Sequence, residues 1–286
     1  MSIQWFPGHM AKTRRLLSEI SKVLDIAVIL LDARCPYSSF SPLIEELFKN
    51  KPILIVFTKC DLADPKATLK WKRFYEEKGY NVVSLNLLSD NVIKEINNHA
   101  DKILEEKIQK ELAKGMKRRR MKMVISGIPN VGKSTLINKY TKKKVVNVGN
   151  KAGVTKQLQW IRIGDRFELL DSPGILWPKF EDEHIGFALA ATKAIKNEIL
   201  PTDDVAIFIL RYLHQVYPEK LLEKYDLDNI DDVVECYEKI GRKFHLIASG
   251  NVVDYERVSE RILNDAQSVK FENVTWDNYE LLRNEV

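Results

Sequence analysis

The sequence predicts an α/β fold with a mainly parallel sheet, followed by a C-terminal helical region. Up to about residue 180, short runs rich in Ile and Val alternate with longer amphipathic stretches, which is typical of βαβ units. Beyond that point the apolar residues recur at helical spacing. We therefore expect two domains, an α/β domain over residues 1–180 and a helical domain over residues 181–286.

Each element is predicted from its own local pattern. Compact apolar runs predict buried strands at residues 26–31, 53–57, 82–85 and 123–126, and helical spacing predicts helices at residues 42–48 and 68–78. Residues 158–163 and 167–170 predict a β-hairpin around Gly164 and Asp165. Later helices are predicted at residues 184–196, 203–217, 231–242 and 255–268, several of which open with acidic residues that suit a first turn.

Composition indicates a chain that folds around a core and stays in solution. Of 286 residues 45% are hydrophobic and 30% charged, and no run approaches the roughly 18 apolar residues of a membrane-spanning helix. The first ten residues lack the basic start and apolar stretch of a secretory signal. Cys35, Cys60 and Cys236 have no paired spacing, which predicts reduced thiols rather than disulfides or a zinc site. We expect a cytoplasmic protein without membrane association.

The net charge of +5 is unevenly distributed. Residues 107–122 hold eight basic residues and one acid, whereas residues 219–238 hold eight acids and two lysines. The basic strip includes Lys117, Arg118, Arg119 and Arg120, and such a strip suits contact with a polyanion. The alternative is a solvated helix end, which composition alone favours.

The clearest motif is the segment GIPNVGKST, which begins at Gly127 between a predicted strand and a helical stretch. It is the pattern of a phosphate-binding loop in its required setting. Gly127 and Gly132 let the backbone turn N–H groups towards phosphate oxygens, and the helix N-terminus adds partial positive charge. Lys133 is expected to reach the β- and γ-phosphates, and the Ser134 hydroxyl to bind Mg²⁺. The predicted nucleotide contacts in this loop are Asn130, Val131, Gly132, Lys133, Ser134 and Thr135.

Two segments downstream of this loop supply further predicted contacts to the phosphates and Mg²⁺. Asp171 and Gly174 form an Asp-x-x-Gly turn after a predicted strand, where the carboxylate would join the Mg²⁺ shell and the Gly174 N–H would meet the γ-phosphate. Thr155 lies between the two motifs, where a mobile loop could bring a second hydroxyl to Mg²⁺. An ordinary loop threonine is the alternative at that position.

The motif TKCD follows the second predicted strand and decides between adenine and guanine. GTPases use Asn-Lys-x-Asp here: the Asp accepts hydrogen bonds from guanine, and the Lys stem covers the base. This chain keeps Lys59 and Asp61 but has Thr58 in place of Asn. Because adenine offers no donors that match the Asp61 carboxylate, we expect the preference for guanine to survive. With Thr58 in place of Asn, we expect the affinity for the nucleotide to be weaker. A weaker candidate base loop follows the third strand, with Ser84 and Asn86.

The order of the motifs is circularly permuted, since ordinary GTPases have the phosphate loop first and the base motif last. Each loop follows a strand at the same edge of a parallel sheet, so one site still forms when the strands follow one another in a different order along the chain. The predicted fold is thus a circularly permuted P-loop GTPase domain with a C-terminal α-helical domain. The permutation also leads the loop after Asp171 directly into the helical region, and we hypothesise that the γ-phosphate reorients that region.

Together these residues resemble the circularly permuted ribosome-assembly GTPases of the ribosome biogenesis GTPase A (YlqF) type. The resemblance spans nearly the whole chain and adds further motifs: WFPGHMAK at residues 5–12, DAR at residues 32–34 with Pro36, and Gly250-Asn251 with Asp254-Tyr255. It implies binding of GTP or GDP with Mg²⁺ and hydrolysis of GTP. It also implies a role in late assembly of the bacterial large (50S) ribosomal subunit, with rRNA bound by the helical domain.

The resemblance also nominates catalytic residues besides Lys133. Ile175 stands where Ras-like proteins place the Gln that orients water, so another group or a partner has to do so. The candidate implied by the family is His9, although a lone His is more often structural. Asn130 matches an Asn that helps to bind K⁺, which neutralises developing phosphate charge; a loop-stabilising Asn is the alternative.

The expected partners are the large ribosomal subunit and its rRNA, and the chain itself is expected to be a monomer. With this resemblance the four basic residues from Lys117 to Arg120 become candidates for RNA contact. A P-loop kinase would need an acceptor pocket and an Arg-bearing lid, and a GTP-dependent RNA-modifying enzyme would need a separate catalytic domain. Neither is recognisable in the sequence, and Asp61 argues further against the kinase.

Overall fold

The computed structural model describes residues 15, 18–89, 91–141, 160–171 and 182–283, and only the backbone of Asp171. Within these residues no helix has the length and apolar character needed to cross a lipid bilayer.

A six-stranded sheet forms the centre of the N-terminal part. Its strands, in the order β3-β2-β1-β4-β6-β5, are β1 (Ile26–Asp32), β2 (Ile53–Thr58), β3 (Asn81–Ser84), β4 (Met121–Gly127), β5 (Trp160–Ile163) and β6 (Phe167–Asp171). Neighbouring strands are parallel except β5 and β6, which pair antiparallel. The four predicted buried strands are confirmed, and so is the hairpin over its described residues.

Helices cover both faces of this sheet: α1 (Pro42–Phe48), α2 (Pro65–Glu77), α3 (Val92–Ala113) and α4 (Lys133–Thr141). Successive residues of β1 point to opposite faces, so Ile29 packs with α1 and α2 while Leu30 packs with α3 and α4. Helix α3 is not among the predicted helices. Its buried residues recur every fourth position, Val92, Ile96, Ala100 and Leu104, within an otherwise polar stretch.

The C-terminal part is helical, as predicted. It contains α5 (Glu183–Ala191), a 3₁₀ turn (Asn197–Ile199), α6 (Thr202–Val216), α7 (Pro218–Tyr225), α8 (Val233–Lys243), the short hairpin β7 (Ile247–Ala248) and β8 (Val252–Val253), α9 (Tyr255–Gln267) and α10 (Tyr279–Leu282). Four of these helices correspond to the predicted ones. The sequence analysis did not assign α7, α10 or the hairpin.

Helix α5 ends earlier than predicted, at Ala191 instead of residue 196. Lys193 adopts a left-handed conformation with φ 62°, its N–H donates to Ala190 O, and the next N–H donates to Leu189 O. These two bonds form the Schellman arrangement that satisfies the last carbonyls of a helix. The Thr192 hydroxyl also bonds back to the final turn of the helix. The prediction failed because a left-handed lysine leaves no signal in apolar spacing.

The end of the chain returns to the N-terminal part. The buried carboxylate of Asp277 accepts hydrogen bonds from the backbone N–H and hydroxyl of Ser38 at 2.8 and 2.7 Å, and Trp71 Nε1 donates to Asp277 O at 2.9 Å. On the helical side, His184 Nε2 lies 3.0 Å from the same carboxylate. The helical region is therefore packed onto the sheet region, and the domain division at residues 180 and 181 remains a proposal.

Candidate nucleotide-binding site

The phosphate-loop segment connects the end of β4 to the start of α4, as the motif predicts. Gly127 has φ 145°, and a Cβ there would lie 2.4 Å from Leu30 O of the neighbouring strand. Gly132 has φ 110°, and its Cβ would lie 2.6 Å from Leu87 Cδ1. The backbone conformation favours glycine at both positions, and at Gly127 the close approach of the Leu30 backbone oxygen also excludes a side chain.

The Lys133 side chain folds back over this loop. Its Nζ donates to Gly127 O at 3.1 Å and to Ile128 O at 2.7 Å, so the ammonium lies over the first turn of the loop. Ser134 and Thr135 follow in the first turn of α4, where both are partly exposed. A cation and the N-terminus of a helix are thus placed together, which is the arrangement that attracts phosphate.

Thr58 joins the base motif to the phosphate loop. It ends β2 and is fully buried, and its Oγ1 lies 2.9 Å from Val131 O and 3.1 Å from Leu31 O. A hydroxyl has one hydrogen to donate, so the two carbonyls share it. The threonine that replaces the usual Asn therefore contacts the loop backbone.

The next residues of the base motif lie at the same edge of the sheet. Lys59 has a left-handed backbone with φ 56°, and its Nζ contacts Asp32 Oδ2 at 2.7 Å. Asp61 is exposed, as a base-reading carboxylate at the mouth of a site must be before it binds. Between them, burial raises the pKa of the Cys60 thiol to about 11, so the thiol stays protonated and donates to Phe57 O.

The weaker base-loop candidate also lies beside the phosphate loop. Ser84 ends β3, and Asn86 Oδ1 accepts a hydrogen bond from Leu88 N at 2.8 Å, which shapes the turn after the strand. Leu87 is buried against Gly132. The structure thus brings the loops after β2, β3 and β4 together.

Other predicted residues are less fully described. The backbone of Asp171 pairs with Ile125 in parallel register, which places it next to the strand that leads into the phosphate loop. His9, Thr155 and Gly174 lie outside the described residues. In the part of the chain that the structure describes, no three His, Cys, Asp or Glu side chains gather to form a metal site.

Comparison with known proteins decides the family. Residues 122–247 match the model of a family described as 50S ribosome-binding GTPase. The ribosome biogenesis GTPase A of Bacillus cereus is 44% identical over 98% of this chain and 95% of its own length. The chain belongs to the ribosome biogenesis GTPase A family. It is accordingly a GTPase of ribosome biogenesis, and the prediction of GTP hydrolase activity is confirmed.

Solved structures support the same fold. A GDP-bound structure of "TM YlqF" has a TM-score of 0.66 and 24% identity, and the match covers 93% of this chain and 100% of that one. A GNP-bound YlqF from T. maritima has a TM-score of 0.64 and 23% identity, with 94% and 99% covered. The predicted fold class is confirmed, and a guanine nucleotide as ligand agrees with the family.

Sequence reasoning missed a buried ion cluster in this ribosome biogenesis GTPase A fold. Asp32, at the end of β1, contacts Lys59 and also Arg34, whose Nε and Nη2 lie 2.9 and 2.8 Å from its two oxygens. Burial opposes the charge, but Arg34 and Lys59 outweigh it and hold the pKa of the Asp32 carboxyl well below its usual value. The DAR motif was noted as a family feature without a role, and only its spatial neighbours reveal one.

Asn130 connects the phosphate loop to the helical region. Its backbone is left-handed with φ 58°, and its Nδ2 donates to Lys193 O at 2.8 Å, in the turn that ends α5. The alternative of a stabilising Asn thus has a defined partner. A potassium ion would bind the other amide atom, the oxygen, so the K⁺ hypothesis remains a prediction.

Two of the four basic residues from Lys117 to Arg120 are used inside the fold. Arg119 makes two bonds of 2.7 and 2.8 Å to the buried Asp25, and Arg120 bonds Gly164 O and Asp165. These two arginines hold elements of the sheet region together. Lys117 and Arg118 are exposed and keep the prediction of RNA contact.

Proposed function

We propose that this GTPase is a nucleotide-dependent switch in late assembly of the large (50S) ribosomal subunit, and that it hydrolyses GTP to GDP and phosphate on binding the pre-ribosome. The observation that carries the proposal is the 2.9 Å contact from Thr58 Oγ1 to Val131 O, which joins the base motif to the phosphate loop. One nucleotide can therefore reach both. The matching family description and the name of the B. cereus relative support a ribosomal partner.

The nucleotide would lie with its phosphates in the loop and its base near Asp61. Backbone N–H groups from Asn130 to Thr135 and the Lys133 ammonium would bind the phosphates, and the Asp61 carboxylate would accept from guanine. Ser134, in the first turn of α4, and Asp171, at the end of the strand next to β4, offer the oxygen donors that Mg²⁺ prefers. When bound, Mg²⁺ supplies positive charge beside the phosphates. Thr155 and Gly174 complete the proposed set on sequence grounds.

His9 is proposed to orient the attacking water, because Ile175 has no group that can do so. The His9→Ala variant should bind GTP as tightly as the parent and lose turnover stimulated by large subunits. Filter binding and phosphate release, measured on the same preparations, check this. Stimulated turnover equal to that of the parent would reject the assignment.

The helical domain at residues 181–286 is proposed to bind rRNA, and the protein is proposed to act as a cytoplasmic monomer. The exposed Lys117 and Arg118 would add phosphate contacts from the sheet region. If they do, binding to large subunits by a Lys117→Ala, Arg118→Ala variant should depend less steeply on salt than binding by the parent. An unchanged slope removes these two residues from the RNA-binding surface.

Sedimentation with purified large subunits in GTP, GDP and a non-hydrolysable analogue tests the switch directly. We expect co-sedimentation with GTP and the analogue, release with GDP, and faster hydrolysis when subunits are present. An Asp61→Ala variant is the matched control, since it should lose selectivity for guanine over adenine while the phosphate loop stays intact. Equal co-sedimentation in all three nucleotide states would refute the proposal.

A further inference from the structure

Asp32 lies where the base motif, the phosphate loop and the helical region meet. It is the last residue of β1, which runs between β2 and β4, and its side chain is 1% exposed. The strand on one side leads to the base motif and the strand on the other leads to the phosphate loop. A carboxylate at this point can bond to groups on either side.

The contacts of Asp32 hold one functional side chain in place. Its Oδ2 binds Lys59 Nζ at 2.7 Å, while both oxygens bind Arg34 and Oδ1 also accepts from the Arg34 backbone N–H at 3.1 Å. A lysine stem has four rotatable bonds and loses much freedom when its ammonium is held. Because the Lys59 backbone and Nζ are both held, the stem between them has a defined path before nucleotide binds.

Arg34 extends this cluster to the helical region. Its Nη2 donates to Thr192 O at 3.1 Å, and its backbone O accepts from Trp276 N at 2.6 Å. The next carbonyl, that of Lys193, accepts from Asn130 of the phosphate loop. The two adjacent carbonyls that follow α5 are thus bound from the base side and from the phosphate side of the nucleotide site.

We propose that Asp32 is a positioning residue for guanine recognition, which acts by fixing Lys59 against the base and, through Arg34, ties that position to the turn after α5. The inference rests on the proposed function, in which Lys59 and Asp61 contact the base. It adds a specificity-determining role for the DAR motif. A lysine that is held in advance loses less conformational freedom on binding, which strengthens the affinity for the nucleotide.

A double-mutant cycle on the full chain tests the proposal, with affinities for GDP and ADP as the readout. Asp32→Asn removes the charge that binds Lys59, and Lys59→Met removes the ammonium while the apolar stem remains. We expect Asp32→Asn to weaken GDP binding by up to about tenfold, the cost of ordering one long side chain on binding, and to narrow the preference for GDP over ADP. In the Lys59→Met background the same change should have little further effect.

The matched control is Asp25→Asn, at the residue that directly precedes the opposite end of β1. Asp25 is also buried and is also bound by two cations, Lys107 and Arg119. This variant should lose thermal stability but keep the GDP affinity of the parent. If Asp32→Asn does not fold, Asp32→Glu takes its place in the cycle, because it keeps the charge and displaces it by one methylene.

The possible outcomes distinguish failure of the proposed nucleotide site from failure of the positioning role of Asp32. If the parent binds GDP and ADP equally well, the base-contact assignment fails and this inference fails with it. If Lys59→Met alone binds GDP as the parent does, the ammonium has no part in binding, and the positioning role of Asp32 is refuted while the proposed nucleotide site stands. If Lys59→Met weakens binding but the Asp32 and Lys59 effects are additive, the proposed nucleotide site stands and the positioning role of Asp32 is refuted. Equal loss of affinity in Asp25→Asn would also refute it, since general destabilisation would then explain the result.

Discussion

Replacing Thr58 by Val removes one hydroxyl from the contact between the base motif and the phosphate loop, and leaves the size and branching of the side chain nearly unchanged. The hydroxyl lies 2.9 Å from Val131 O and 3.1 Å from Leu31 O, and the residue is fully buried. The substitution therefore takes a donor away from two carbonyls without opening a cavity.

The magnitude follows from the loss of a buried hydrogen bond. Leaving a buried acceptor without its donor costs about 1–3 kcal/mol. For a chain of this size, each kcal/mol lowers the melting temperature by roughly 2–4 °C. We also expect weaker GDP binding, by up to about tenfold if 1.4 kcal/mol of the loss falls on the bound state, because Val131 belongs to the proposed phosphate-binding loop.

Thermal unfolding with and without GDP, and titration of GDP by calorimetry, measure the two effects. Thr58→Ser is the matched control, since it keeps the donor and loses only a methyl group. Thr58→Asn installs the residue that is usual in GTPases, which also offers a donor for the loop. We expect both of these variants to bind GDP more tightly than Thr58→Val.

Equal GDP affinities of Thr58→Val and Thr58→Ser would refute the proposed role of the Thr58 hydroxyl in nucleotide binding. That result would mean that the hydroxyl does not hold the loop in its binding conformation. If Thr58→Val is less stable but binds GDP with unchanged affinity, Thr58 contributes to the stability of the fold and not to nucleotide binding.

Three further predictions concern stability, backbone and ions. Burial opposes the charge of Asp25, but Arg119 and Lys107 outweigh it and lower the pKa of this carboxyl from 3.8 to about 2. The ionised group therefore contributes about 2 kcal/mol to the free energy of unfolding at pH 7, and this contribution is lost as the pH falls from about 4 to 2. Urea unfolding across that range should show a smaller loss for Asp25→Asn than for the parent. Gly127→Ala should abolish tight GDP binding and lower the melting temperature, because its Cβ would lie 2.4 Å from Leu30 O; near-normal calorimetric binding would contradict this. If Asn130 helps to bind K⁺, phosphate release should be faster in potassium than in sodium salts, and Asn130→Ala should remove the difference.

Prediction from the sequence succeeded where a few adjacent residues determine the outcome. Apolar runs located β1, β2 and β4, because a strand buried on both faces is apolar at nearly every position. The shorter run of Val82 and Val83, both buried, located β3. The phosphate loop was recognisable because its chemistry needs particular residues at a fixed spacing. The family followed from several such motifs together.

Prediction fell short where backbone conformation overrides the pattern. Lys59, Asn130 and Lys193 have left-handed backbones although none is glycine. Such conformations cost energy and persist only where surrounding contacts hold them, so the local sequence pattern does not predict them. The conformation of Lys193 determines where α5 ends, and its carbonyl accepts the hydrogen bond from Asn130.

The sequence by itself therefore determined the α/β class, and it predicted the chemistry of the phosphate loop and a preference for guanine through Asp61. Only the tertiary structure decided which groups meet: Thr58 with Val131, Asp32 with Lys59, and Asn130 with Lys193. Two of these pairs join residues more than 60 positions apart, at 73 and 63. The physical reason is that side-chain partners across a parallel sheet depend on strand order and loop conformation, which become defined only when the whole sheet has assembled.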